Sequence, residues 1–403
     1  MIINGERSLA YIAKITDIKP IENADRIEVA IINDGWEVVI AKKDNFQIGD
    51  EVIYIETDAK VPAIPEFEFL KDRKYRIRII RLRGRYSQGL VIPKDTFETT
   101  KDVPLGEDVA KIIGITYYVP GDNERKAASG VDPKAKYRGM GARHPKLAKT
   151  FWWRWLMRRE WGRRLLFLFF GKKRDVTKTQ FPKKFPYISK TDQERVENMP
   201  WILEDKSEYI VTQKCDGSSA TYILERKPFN RFEFYVCSRN VRMLNDNQDC
   251  FFDTNVYWEM AHKYNIEEKL THLLKTHPSW NYVCWQGEIC GPKIQKNIHH
   301  LSENHLFMFH MTDSENGRWN IVDAAKIWHD YEMECVPITD EHYILENNLE
   351  ALKRKADGFY NPSVCEGHEG CRREGLVYYK ADDPNFSFKN VSRQYLMKFT
   401  EEE

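Results

Sequence analysis

The sequence predicts an α+β chain in which a small all-β module precedes a larger domain of strands and helices. Three observations carry this reading. Short apolar runs separated by turn residues crowd the first 118 residues, a basic Trp-rich stretch then breaks the pattern, and beyond it strand-like runs alternate with helical spacing. At 403 residues the chain exceeds one average domain. The expected division is 1–118 for the β module, 119–180 for a basic linker or helical insert, and 181–403 for the mixed domain.

Within the first module, Val38–Ala41 and Val52–Ile55 are compact apolar runs, with a turn at Ile48-Gly49-Asp50 between them. Tyr75 to Ile79 alternates Arg76 and Arg78 with Tyr75, Ile77 and Ile79, the pattern of a strand with one basic face. Many short strands in about 100 residues suggest a small barrel or sandwich. Lys71–Arg85 carries eight basic residues and a single acid, Asp72. On a barrel surface such a stripe, including Arg76, Arg78, Arg81 and Arg83, could track a phosphate backbone; the alternative is a solvated strand face.

Residues 121–180 hold 17 Lys/Arg against five Asp/Glu, with Trp152, Trp153, Trp155 and Trp161 among them. Trp153, Met157, Trp161, Leu165 and Leu168 fall at helical spacing. A linker helix packed on a domain, a nucleic-acid contact and a membrane-surface helix all fit that pattern. The longest apolar run, Leu165–Phe170, is six residues, far short of the roughly 20 that span a bilayer. The first residues show no basic stretch followed by an apolar one, so no signal peptide is expected. Lys+Arg 62 against Asp+Glu 61 nearly cancel, so charge informs only when read locally.

In the last domain, strands are expected at Tyr209–Val211, Ala220–Leu224, Phe232–Cys237, Tyr282–Trp285, Leu306–Phe309 and Gly375–Tyr379, and helical spacing over Val256–Leu274. All eight cysteines lie between Cys215 and Cys371. A reduced, cytoplasmic setting is the simpler reading, because disulfide frameworks more often staple small secreted domains. Cys365, His368 and Cys371 could offer three zinc ligands, against the alternative of a reduced loop.

The sharpest chemical signal is Lys214-Cys215-Asp216-Gly217-Ser218-Ser219, set between two strand-like runs. A lysine with a pKa near 10.4 is a poor nucleophile. Positive neighbours or desolvation would lower that value and expose the amine. Gly217 would permit a tight turn and close approach of a phosphate, with the Asp216 carboxylate aimed at the same place, for a metal or for the lysine.

Further elements follow in order: Ser238-Arg239-Asn240, Gln286-Gly287-Glu288-Ile289-Cys290-Gly291, Phe307-Met308-Phe309, Arg373-Glu374-Gly375-Leu376-Val377, and Ser387-Phe388-Lys389 with Lys398 nine residues on. This series resembles motifs I, Ia, III, IIIa, IV and V of the covalent nucleotidyltransferases, the ligases and RNA-capping enzymes. The closer resemblance is to the two-domain RNA ligases of the Deinococcus/Naegleria type, in which an OB-fold comes first. Ala24–Ala30, Leu82–Leu90 and Lys190–Arg195 look like that family's segments.

The resemblance implies an OB-fold β-barrel followed by a nucleotidyltransferase (ATP-grasp-like ligase) domain of antiparallel sheets and helices. It also implies ATP and Mg²⁺ or Mn²⁺ as cofactors and RNA, or an RNA-containing nicked duplex, as partner. By resemblance Lys214 attacks the ATP α-phosphate, Gly217 and Arg239 line the nucleotide, Asn240 engages the nucleotide or the RNA end, Glu288 binds the ribose and Phe309 stacks on adenine. Asp216 and Glu374 organise the metal, and Lys389 neutralises phosphate, with Lys398 as a second cation. Two positions depart from the pattern. Many relatives carry K-x-K in motif V where this chain has Lys389-Asn390-Val391, and often an aspartate in motif IIIa where it has His310.

DNA ligases and capping guanylyltransferases usually carry an OB domain after motif V; here five residues follow Lys398 and the OB-like module lies upstream. A catalytically inactive nucleic-acid-binding adaptor is the alternative from another class, although the nucleophile, both glutamates and Lys389 are all present.

Overall fold

A computed structural model describes residues 1–3, 6–117, 147, 150–159, 161–162, 165–166, 178–180, 193–239, 241–243, 255–292, 294–366 and 370–401. They fall into two compact units, Met1–Tyr117 with Lys178–Glu403, and Tyr118–Thr177.

The first module of the larger unit is built on one long strand, β1 (Ala10–Pro20). It pairs through Ala10–Lys14 with β4 (Glu51–Ile55) and through Ile15–Pro20 with β2 (Ile27–Ile32), the irregularity at Ile15/Asp17 letting it serve both. With β3 (Trp36–Ala41) and β7 (Leu90–Pro93) the antiparallel order is β7-β4-β1-β2-β3. Between β4 and β7 the hairpin β5 (Ile79–Leu82) and β6 (Arg85–Gln88) leans on β3, where Val39 N donates to Ser87 Oγ at 2.9 Å.

Both faces of β1 and β4 are buried. Ala10, Ile12, Ile53 and Ile55 join one core with Phe67, while Tyr11, Ala13, Val52 and Tyr54 join another with Trp36. That explains why these strands read as continuous apolar runs rather than alternating ones.

The second core faces the downstream domain. The Trp36 indole N–H donates to Asn198 Oδ1 at 2.6 Å, Gln88 Nε2 donates to Glu197 Oε1 at 3.1 Å, and the buried Lys353 ammonium donates to Gly35 O at 2.6 Å.

The downstream domain has two sheets. In the five-stranded sheet, Glu194–Arg195 is followed by β16 (Ser387–Val391), β15 (Gly375–Lys380), β8 (Glu208–Lys214) and β14 (Ile338–Ile344). The seven-stranded sheet runs from Lys178–Gln180 through β11 (Val241–Met243), β10 (Arg231–Ser238), β9 (Ser218–Lys227), β12 (Tyr282–Cys290) and β13 (His305–Asp313) to Gly317–Arg318. Helices α1 (Val256–Lys263), α2 (Ile266–Thr276) and α3 (Ile321–Asp330) cover the larger sheet, and α4 (Leu349–Lys355) and α5 (Arg393–Glu401) complete the domain.

Every strand expected in this domain forms. The helical stretch expected over 256–274 divides into α1 and α2, because Asn265 adopts a left-handed φ of 49°.

Three expectations are corrected. Tyr75–Arg78 is not a strand: Lys74 and Tyr75 have φ of 55° and 59°, and the strand begins at Ile79. The Trp-rich stripe is not one continuous helix. Helix Phe151–Arg158 ends where Arg159 turns extended (φ −108°, ψ 141°), leaving Trp153 buried but Trp161 and Leu165 exposed; Leu168 lies outside the described residues. Finally, Cys365 and Cys371 are paired as a disulfide rather than placed as two separate thiols, and His368 lies outside the described residues.

Among the described residues no helix is long and apolar enough to cross a membrane.

Candidate active site

The nucleophile candidate sits where the chain changes sheets. β8 ends on Lys214, Cys215-Asp216-Gly217 crosses the gap, and Ser218 opens β9, so the motif spans a cleft of about 320 Å³. Gly217 is needed here for proximity rather than for an unusual φ. A Cβ at this position would lie 2.2 Å from the Ile289 carbonyl oxygen and 2.9 Å from Glu288 Cγ. The short crossing therefore presses the motif onto β12 and brings Lys214 to Glu288.

Lys214, Gly217, Arg239, Glu288, Phe309 and Lys389 all line this cleft. They arrive from five different strands or strand ends, which is why the last lies 175 positions beyond the first. Phe309 owes its place to a bulge. Gln286 pairs with His310 and Gly287 with Met308, so Phe309 has no residue opposite it and its ring is turned to the cleft wall. Asn240 and the Lys398 side chain lie outside the described residues.

Electrostatics around the lysine run opposite to the sequence expectation. Lys214 Nζ lies 2.7 Å from Glu374 Oε2. Burial alone would push its pKa down, but the carboxylates of Glu374, Glu288 and Asp216 outweigh burial and hold the ammonium well above the ordinary lysine range. The same crowding acts on the acids. Burial pushes the Glu288 carboxyl up to about 8, reinforced by Glu374 and Asp216 and opposed by Lys214 and Arg239. Asp216 is likewise raised, by burial and then by Glu374. Three carboxyl groups thus crowd the one amine of Lys214 and repel one another.

Among the described residues no three His, Cys, Asp or Glu side chains are preassembled to hold a metal. Asp216 and Glu374 fit a hard divalent cation all the same, because such ions are commonly held by one or two carboxylates together with substrate phosphate oxygens. Their shared need for positive charge is the observation that supports this fit.

Several supports carry no local signal in the sequence. The Tyr360 hydroxyl donates to Lys214 O at 2.9 Å and accepts from Glu374 N at 3.1 Å, tying nucleophile strand to acid strand. His299 is fully buried. Its Nε2 accepts from Asp216 N at 3.2 Å while Nδ1 donates to Val364 O at 2.8 Å, and burial lowers its pKa to about 4, so it is the neutral imidazole that fixes the loop. The Tyr395 hydroxyl of α5 hydrogen-bonds the Asp216 carboxyl. Thr212, Gln213, Gln193 and Tyr379 also line the cleft. His310, the departure in motif IIIa, is buried with neither ring nitrogen hydrogen-bonded, and burial holds it neutral.

The basic stripe of the first module divides. Arg76 is buried at 8% exposure, 3.9 Å from Asp58 Oδ1, and Arg195 approaches the same carboxylate at 3.8 Å. Arg76 thus belongs to a buried ion cluster joining the two domains and is not a surface contact. Arg78 is half-buried, whereas Arg81 and Arg83 are exposed on the β5–β6 hairpin.

Comparison with known proteins agrees with this architecture. Residues 9–94 match an OB-fold domain model and residues 207–399 match the RNA ligase family model. No curated protein sequence matches significantly. Among solved structures, Naegleria gruberi RNA ligase with PPi is 28% identical with a TM-score of 0.71, covering 98% of this chain and 100% of that one. A mutant of that ligase with ATP and Mn is 28% identical at a TM-score of 0.69, covering 97% and 98%. Another, with AMP and Mn, gives 28%, 0.69, 97% and 99%. On the matched domains, their order and the whole-chain likeness, this chain belongs to the RNA ligases, with an N-terminal OB-fold ahead of the ligase domain.

Proposed function

We propose that this RNA ligase uses ATP and a divalent metal to join a 3′-hydroxyl to a 5′-phosphate, through a lysyl-AMP on Lys214, at nicks in duplexes with RNA on the 3′-hydroxyl side. The observation that carries this is the Lys214–Glu374 contact inside a cleft that also gathers Glu288, Phe309, Arg239 and Lys389. Solved relatives are described with ATP, AMP and Mn, which supports the same ligands here.

In the first step Glu374 orients the Lys214 amine through its hydrogen bond, the ammonium gives up its proton to solvent, and Nζ attacks the α-phosphorus as pyrophosphate leaves. A divalent ion held by Asp216 and Glu374 would supply the positive charge that those carboxylates lack and that the reacting phosphate oxygens require. Lys389 and Arg239 neutralise phosphate charge from the cleft wall, Phe309 stacks on adenine, and Glu288 accepts a hydrogen bond from the ribose. AMP then passes to the 5′-phosphate, and attack by the 3′-hydroxyl expels it and seals the strand. A role in RNA repair, acting in the cytoplasm, fits this chemistry.

The exposed arginines of the β5–β6 hairpin are the OB-fold residues best placed to hold the RNA backbone. Sealing of a nicked RNA duplex, read beside lysyl-AMP formation with ATP or GTP, tests the reading. Lys214→Ala is expected to lose both steps, and the pair Arg81→Glu and Arg83→Glu to lower sealing at least tenfold while leaving the ATP-dependent adduct intact. A GTP-specific adduct, or a wild-type protein that seals DNA nicks as well as RNA ones, would overturn it.

A further inference from the structure

Phe359 is a large aromatic side chain 55% exposed, yet its backbone is held by hydrogen bonds on both sides. Its carbonyl accepts from Gln213 Nε2 at 3.3 Å, it bridges antiparallel to Arg372, and the neighbouring Tyr360 N–H donates to Cys371 O at 2.9 Å. The Arg372 guanidinium carbon lies 5.7 Å from the centre of the Phe359 ring. A rigid, solvent-facing aromatic beside an arginine buries little in the protein itself, and loses hydration advantage by standing there.

Its surroundings point to a ligand. Gln213 lines the catalytic cleft and precedes Lys214; Tyr360, the next residue, holds Lys214 and Glu374; and Arg372 lies two residues before Glu374. Arg372 also hydrogen-bonds Gln394 of α5, whose neighbour Tyr395 reaches Asp216. The same helix packs against β5, and its Arg393 guanidinium lies 4.5 Å from the Tyr86 ring in β6. Phe359 and Arg372 therefore adjoin the catalytic residues through Gln213 and Tyr360, and Arg372 touches the helix that reaches both Asp216 and the OB hairpin.

We propose that Phe359 and Arg372 form a subsite for the RNA strand, in which a nucleobase close to the joined end stacks on the Phe359 ring and Arg372 meets the adjoining phosphate. Stacking on an aromatic is indifferent to base identity, which suits an enzyme that joins ends of varied sequence. Arginine supplies both a flat cationic face and donors for phosphate oxygens. The proposal rests on the RNA-joining reading of the cleft and adds to it where the polynucleotide lies.

The test uses the full chain and a nicked RNA duplex whose 3′ end at the nick lacks its hydroxyl, so that binding is read by fluorescence anisotropy without sealing. Phe359→Ala is expected to weaken binding about tenfold, the size of one lost base stack, and to raise the KM for a sealable nick similarly. Lysyl-AMP formation from ATP should keep its wild-type rate. Phe359→Trp should restore binding whereas Phe359→Leu should not, and an abasic nucleotide at the stacked position should abolish the difference between wild type and Phe359→Ala. Unchanged binding by Phe359→Ala, equal rescue by leucine, or a matching fall in lysyl-AMP formation would overturn the subsite. Failure of the wild-type protein to seal any RNA nick would instead strike the ligase reading.

Discussion

Glu288→Gln is expected to yield a protein that is more stable than wild type at pH 8 and slower in lysyl-AMP formation by about 10–100-fold. The stability half follows from burial of the carboxyl, reinforced by Glu374 and Asp216, which raises its pKa from 4.5 in a free chain to about 8. Because the folded state favours the protonated form, this group's contribution is fully present below about pH 4.5 and is lost as pH rises through about 8. Glutamine carries no charge at any pH and escapes the loss. Melting without ATP or metal should give the variant an advantage of about 1–3 kcal/mol at pH 8 that vanishes near pH 5. The activity half follows from a charge-assisted hydrogen bond to the ribose, worth about 1.5–3 kcal/mol. A variant that melts like wild type across this range would show that Glu288 is not strained by its neighbours.

Gly217→Ala should be at least as damaging, and for a steric reason. The added methyl would lie 2.2 Å from the Ile289 carbonyl oxygen and 2.9 Å from Cys290 Sγ, so the crossing between β8 and β9 has to move off β12. That displaces both Lys214 and the partner of Glu288. Overpacking of this kind costs about 1–3 kcal/mol in stability, and a misplacement near 1 Å at reacting atoms costs about 100-fold in rate. Adenylylation should fall by that factor while circular dichroism still reports a folded protein. Near-wild-type adenylylation would mean that the crossing yields without moving the lysine.

Much of the cleft was legible in the sequence because each motif leaves a local mark. Lys214, Glu288 and Glu374 each lie within three residues of a glycine at a strand end, where charge and close backbone approach coincide. Tyr360, His299 and Tyr395 leave no such mark, since they act through the tertiary contacts they make with distant strands. The tuning of Lys214 was misjudged for a related reason. The sequence suggests desolvation or positive neighbours at Lys214, but the convergence of three acids from positions 216, 288 and 374 exists only in the fold. Arg76 fits a polar–apolar alternation as well as Arg81 does, and alternation cannot tell a solvent-facing arginine from one buried against Asp58. The Trp-rich helix was overextended because periodicity counts the stripe without seeing the extended residue at Arg159 that ends it.

The central claim is that Lys214 carries AMP. The most direct measurement is peptide mapping by mass spectrometry after incubation of the full chain with ATP and Mg²⁺, beside the Lys214→Ala variant. The account predicts an acid-labile AMP adduct on the peptide containing Lys214 and on no other, absent from the variant. An adduct on another residue, or RNA sealing by protein that never carries AMP, would contradict it.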